Sequence, residues 1–279
     1  MADSQVSLRA SLAYAWDLLR TKWRDIWGAL ALSALASTVV YAGLFAQNNT
    51  LVVAGLPAML LTKYAVYGAV VRLGFGAEHQ DDPEFRPGVM GLQWKRMELR
   101  MFGADLLLGV FQLVIGILLA IALTAPLIGI IMSHGAPPAG ITTPEQLMQQ
   151  LGPNGETIMQ VEQFVLWAAI ALIGIRLSLS LPASAESGRV AVLSTWKLTK
   201  GSFWRLAAAS IVVALPLIVI LTLIGAATAG PAGEMRRFSP SEAFVFALVC
   251  GSWAGAAITP LTAAVQVYFY RRLKAVGPT

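Results

Sequence analysis

The chain has 279 residues, of which 57% are hydrophobic and 13% charged, where an ordinary soluble domain carries roughly a quarter charged residues; the composition argues for a membrane protein. Twenty Lys and Arg against fifteen Asp and Glu leave a net charge of +5. The basic residues cluster beside apolar stretches, so lipid phosphates, and not nucleic acid, are the expected counter-charge. One cysteine, Cys250, excludes an internal disulfide, and with only His79 and His134, far apart in sequence, no structural zinc set can be assembled. No cofactor is expected.

The first segment, residues 7–25, places Leu8, Leu12, Trp16, Leu19 and Trp23 at spacings of three and four, on one helical face, with Arg9, Asp17, Arg20 and Arg24 elsewhere. That pattern predicts an amphipathic helix lying in the membrane interface, its tryptophans at headgroup depth. It lacks the short apolar core and small-residue site of a cleavable signal peptide, and Asp3, Asp17 and Asp25 argue against a mitochondrial presequence.

Six apolar stretches long enough to cross a core about 30 Å thick follow, over residues 26–46, 51–71, 103–132, 164–181, 206–229 and 243–269. The expected fold class is therefore an all-α integral membrane protein with six transmembrane helices. Seventeen of the twenty basic residues fall before span one, between spans two and three, from the end of span four to span five, or after span six. Only Arg236 and Arg237 lie opposite, and Lys63 lies inside a span. The positive-inside rule then puts both termini in the cytoplasm, and a bacterial inner membrane fits best.

Within the spans, Lys63 and Asp105 each need a partner or water, since a charge at mid-bilayer costs about 2.5–3.5 kcal/mol on insertion scales. They can bridge each other or snorkel separately to the interface. Pro57, Pro126, Pro216 and Pro260 predict kinks. Gly251 and Gly255, with Ala247 and Ala254 nearby, form a small-xxx-small stripe that lets a helix of the same chain approach closely.

The aromatic and basic pattern of the first segment recurs. Met90, Trp94, Met97 and Met101 with Lys95, Arg96 and Arg100 precede span three; Trp196, Phe203 and Trp204 with Lys197, Lys200 and Arg205 precede span five. A single membrane domain of three repeat-like units is expected, over residues 1–77, 86–182 and 186–274, each an interfacial amphipathic helix followed by a two-span hairpin. Units with an even number of spans repeat in one orientation, which weighs against the inverted repeats of many alternating-access transporters. Among the connections, the acidic loop 78–86, with Asp81, Asp82 and Glu84, is expected to meet these basic segments. The long loop 133–163 carries a short helical candidate at 143–151.

At the third junction the chain reads Arg176-Leu177-Ser178-Leu179-Ser180-Leu181-Pro182-Ala183-Ser184-Ala185-Glu186, then Trp196-Lys197-Leu198-Thr199-Lys200-Gly201-Ser202-Phe203-Trp204-Arg205. These residues resemble the membrane domain attached to some glycerophosphoryl diester phosphodiesterases, and related stand-alone bacterial membrane proteins of unknown function. Leu193-Ser194-Thr195 stands where that family usually has a basic pair. The resemblance implies a multi-span domain without phosphodiesterase activity, because that chemistry resides in a separate barrel of about 250 residues. Pro182 is expected to break the chain and turn Glu186 toward Arg176 or Arg189; the alternative is a lipid-headgroup site of Arg176, Arg189, Lys197 and Lys200.

The leading functional expectation is a non-enzymatic inner-membrane protein that engages the cytoplasmic leaflet and supports a lipid-linked or membrane-protein process. Its expected partners are anionic membrane lipids, with a membrane protein or a second copy of the chain as further candidates. Trp16, Arg20, Trp94, Lys95 and Arg96 would form the interfacial surface with the basic and aromatic residues of the third junction. The alternative is a small-molecule permease using Lys63 and Asp105. A third reading, an unfamiliar membrane enzyme, requires Arg176, Glu186 and Lys200 to converge.

Overall fold

A computed structural model describes residues 7–79, 81–133, 155–228 and 238–276, and every regular element among them is helical. Among the described residues, six helical stretches are long and apolar enough to cross a membrane, which makes this a multi-pass membrane protein. The chain divides into two compact units: Met1–Asp105 with Ser178–Thr279, and Leu106–Leu177.

Helix α1, Leu8–Phe45, is 38 residues long, about 57 Å at 1.5 Å per residue and nearly twice the hydrocarbon thickness. Ser7 caps it, its Oγ accepting from the Ala10 N–H at 3.0 Å. The expected interfacial helix and the first span are therefore one uninterrupted rod. No proline divides residues 8–45, so nothing in the sequence stops the helix. Its buried stripe, Ser11, Ala15, Ile26, Ala29, Ser33, Ala36, Ser37 and Val40, is built mainly of small residues that allow close packing. Trp16, Trp23 and Trp27 face outward.

A short turn with Gln47 in the left-handed region leads to α2, Asn49–Phe75, capped by Asn48 through Oδ1. After a loop comes a single 3-10 turn, Val89–Gly91, in which Met90 has φ 56°. Helix α3 then runs Arg96–Ser133. This corrects the expected helix through Met90 and Trp94, both of which lie before α3. A left-handed Met90 followed by Gly91 at φ 74° folds the loop against α1, where a Cβ on Gly91 would stand 3.0 Å from the Ile26 Cα.

Helix α4, Gly155–Leu177, lies in the second unit, where Gln112 donates to the Ile170 carbonyl at 3.3 Å and Thr124 to Glu162 at 3.3 Å. Helix α5, Ser180–Ser187, starts after a break at Ser178 and Leu179 and ends at Gly188, φ 71°. Pro182 sits in the first turn of α5, not at the break. The break lies four residues earlier because the pyrrolidine ring clashes with the carbonyl of residue i−4 and offers it no N–H. A one-turn helix α6, Thr195–Leu198, and then α7, Phe203–Thr228, follow.

The last span is α8, Pro240–Ser252, a π-helical segment Trp253–Ile258, and α9, Thr259–Val276. Ser239 and Glu242 form a capping box on α8. Pro260 removes the donor that Ala256 would use, and the widened π turn absorbs that loss while Thr259 Oγ1 donates to the Ala254 carbonyl at 2.8 Å.

Trp16 lies within a long helix, Trp94 outside any helix and Trp196 in a single turn; the three aligned tryptophans do not share a local structure. The candidate helix 143–151 and His134, Arg236 and Arg237 lie outside the described residues.

The small-residue stripe packs within the chain as expected. A Cβ on Gly251 would fall 2.4 Å from the Thr38 backbone N, and one on Gly255 2.4 Å from the Ser33 carbonyl carbon. The two backbones of α1 and the last span thus touch directly. Gly255→Ala is expected to lower stability by about 2–3 kcal/mol, a fall of roughly 5–10 °C in the melting temperature of the detergent-solubilised protein. Gly109→Ala, whose Cβ meets nothing within 4 Å, is expected to leave that temperature unchanged or raise it slightly.

Candidate functional site

A group of charged residues of the first unit gathers where α2 ends, α3 begins, α9 ends and the loop 76–95 connects them. At its centre Arg72, in the last turn of α2, meets Glu98, in the first turn of α3. Both side chains are 0% exposed; Nη1 lies 2.6 Å from Oε1 and Nη2 donates to Oε2 at 2.9 Å. The Arg72 Nε donates to the Glu84 carbonyl at 2.8 Å, and Glu98 Oε2 also accepts the Lys95 N–H at 2.8 Å, closing the start of α3. Gly68 makes room: a Cβ there would stand 1.9 Å from Glu98 Oε1. Hydropathy and periodicity do not suggest this pair; its sign in the sequence is the Gly68 and Arg72 spacing of one turn, with an acid three residues after Lys95.

The acidic loop is pinned to the start of α3. Glu84 pairs with Arg100, Asp82 Oδ1 accepts the Glu84 N–H, and the Lys95 ammonium donates to the Pro83 carbonyl at 2.8 Å. Loop and basic residues meet as expected, and Lys95 turns to the loop.

Lys63 and Asp105 do bridge, at 2.6 Å, and the Tyr64 hydroxyl donates to the same carboxylate oxygen. Tyr64 also meets Phe102 and Trp94 edge-on, at centroid distances of 5.5 and 6.4 Å. One turn on, the Tyr67 hydroxyl donates to Gln266 of α9 at 3.2 Å.

Glu186 takes partners the sequence did not suggest. Its Oε2 accepts from Lys274 at 2.7 Å and Tyr270 at 2.8 Å, while Oε1 lies 3.6 Å from His79. The expected turn toward Arg189 gives way to α9, because the early break places α5 against the end of that helix. Beside it Arg271 pairs with Glu78 and donates to the Gly74 carbonyl at 2.8 Å. Ligand atoms of Glu78, His79 and Glu186 lie within 4.8 Å of one another, but Arg271 and Lys274 already neutralise the two carboxylates. The arrangement is a charge-matched cluster that ties loop 76–95 and α5 to the end of α9.

The aromatic residues of the expected interface are outward. Trp16 is 65%, Trp94 39%, Trp196 42% and Trp204 75% exposed. Arg20, Arg96, Arg189, Lys197 and Lys200 are exposed, and Arg205 is half-buried. Arg176 belongs to the second unit and is half-buried. In fact all eight tryptophans of the chain are exposed by 39% or more, the reverse of their usual burial in water-soluble domains and the habit of a ring placed against lipid. Comparison with protein-family models, with curated proteins and with solved structures found no match.

Glu98→Ala leaves a buried guanidinium without its counter-charge and is expected to cost about 3–5 kcal/mol. The double variant Arg72→Met/Glu98→Met removes both charges and is expected to recover most of that loss. Melting temperatures of the three purified proteins in one detergent decide the point.

Proposed function

We propose that the chain is a non-enzymatic protein of the bacterial inner membrane, with both termini in the cytoplasm, that holds anionic phospholipids of the cytoplasmic leaflet and supports a lipid-linked or membrane-protein process there. The observation that carries this reading is the coincidence of outward tryptophans with exposed cations in the same short segments: Trp16 with Arg20, Trp94 with Arg96, Trp196 with Lys197 and Lys200. An indole supplies an amphipathic ring for the interface, and each nearby cation adds about 1 kcal/mol of attraction to an anionic surface. Seventeen of twenty basic residues fall on the side assigned to the cytoplasm.

The carboxylates Glu84, Glu98 and Glu186 are each held by a cation, an arrangement suited to fixing a junction. A general acid or base needs a carboxyl group free to exchange its proton.

A second reading, a small-molecule permease, rests on one observation: Lys63 reaches a hollow of about 330 Å³ among the spans, although Asp105 is not on its lining.

Charge reversal tests the leading reading. Arg20→Glu/Lys197→Glu/Lys200→Glu and, separately, Trp16→Ala/Trp94→Ala/Trp196→Ala are expected to reduce the phosphatidylglycerol that co-purifies in mild detergent by at least threefold relative to phosphatidylethanolamine. Native mass spectrometry reads the ratio, and an unchanged ratio in both variants overturns the proposal.

A further inference from the structure

Midway along α1, Ser33, Ser37 and Tyr41 follow at intervals of four and share one face. They line the 330 Å³ hollow together with Val40, Leu44, Met59 and Lys63 and, from the last span, Ala254 and Thr259. Ser33 is 2% and Ser37 3% exposed. Among the described residues, no hydrogen bond joins either serine hydroxyl, or that of Tyr41, to a partner.

This sets them apart from other hydroxyls in the same bundle. Thr38 bonds back to the Ala34 carbonyl, Ser210 to that of Leu206 and Thr62 to that of Ala58, the usual way for a helix to satisfy a buried hydroxyl. Ser33 and Ser37 show no such bond and line the hollow. The Lys63 ammonium, with one proton on Asp105, has two donors left. Unpaired polar groups in so apolar a setting call for a partner.

We propose that this hollow binds a small uncharged amphiphile, its oxygen toward Lys63, Ser33, Ser37 and Tyr41 and its apolar body against Val40, Leu44 and Met59. The Lys63 ammonium only donates, while the hydroxyls of Ser33, Ser37 and Tyr41 both donate and accept, a wall that suits a ligand oxygen, whether of an alcohol, a ketone or an amide. Lys63 is already neutralised by Asp105, so a charged ligand would leave an uncompensated charge among the spans, whereas an alcohol, ketone or amide leaves none. The volume lies at the small end of ligand sites. The π segment widens the helix beside Ala254, and such turns recur at functional sites. This inference is independent of the leaflet reading.

The test is photolabelling of the full chain, in nanodiscs of phosphatidylethanolamine and phosphatidylglycerol, with a diazirine-bearing octanol, and peptide mapping of the adducts. Adducts are expected within residues 33–44 and 59–63, to be competed by excess unlabelled octanol, and to fall at least fivefold in Ser33→Ala/Ser37→Ala. Ser37→Leu, which fills the hollow, is expected to abolish them; if it does not purify as a single species, the double alanine variant decides. Absence of adducts in those stretches, or equal labelling of the double variant, overturns the proposal. Stronger labelling of the same residues by a diazirine fatty acid overturns its uncharged character, and adducts that disappear as the ratio of phospholipid to protein rises assign the hollow to an acyl chain.

Discussion

One ion pair holds the basic end of the first unit together. Arg72 and Glu98 are both fully buried, and burying two charges is costly unless their geometry is good and their remaining donors and acceptors are used. Here Nη2 donates to Oε2, Nη1 and Oε1 stand 2.6 Å apart as an ion pair, and each partner makes a second contact. The guanidinium holds the Glu84 carbonyl, and the carboxylate closes the first turn of α3 by accepting the Lys95 N–H. The loop between α2 and α3 is thereby fixed at both ends. Once Glu84 is placed, Arg100 is positioned to reach it, and Lys95 to reach Pro83. Gly68 is the steric condition for the whole arrangement, because any side chain there would occupy the space of the carboxylate.

A second constraint works deeper in the spans. Without a hydrophobic driving force between helices in lipid, packing depends on close backbone approach. Gly251 and Gly255 bring the last span onto α1 at Thr38 and Ser33, and Gly43 and Gly55 bring α2 onto the same helix, where added Cβ atoms would stand 2.8–2.9 Å from Val52 and Val40. Helix α1 therefore turns its small residues inward and its tryptophans outward. At the start of α1, Ser11 and Ala15 are buried while Trp16 and Trp23 of the predicted interfacial stripe are exposed.

Much of the fold was legible because hydropathy reports spans directly: six apolar stretches correspond to six long helices. The glycine stripe was legible too, since close approach is a need only a few residues can meet; for Lys63 and Asp105 the sequence left bridging and snorkelling open, and the structure shows the bridge. What was not legible depends on where helices begin. A spacing of three and four from Met90 to Met101 looks helical, but Met90 and Gly91 adopt left-handed backbone and α3 starts at Arg96. Once that start shifts, Trp94 passes from a helix face to a loop, and Glu98 becomes a first-turn residue able to meet Arg72. Likewise, the break four residues before Pro182 redirects Glu186 to Lys274 and Tyr270. Long-range pairs of this kind are set by element ends, which periodicity does not fix.

The distribution of polarity then separates two kinds of surface. At the basic end the carboxylates named above are matched by cations, and exposed cations stand beside outward tryptophans, the composition of a contact with headgroups. Among the spans the pattern inverts: Lys63 is neutralised by Asp105, and the serines one turn apart on α1 line a hollow. Ser33 and Ser37 serve the packing as small residues of the same stripe as Ala29 and Ala36, and they carry a hydroxyl that alanine lacks. Those hydroxyls, beside a lysine with spare donors, give the hollow a polar side that the packing between helices does not call for.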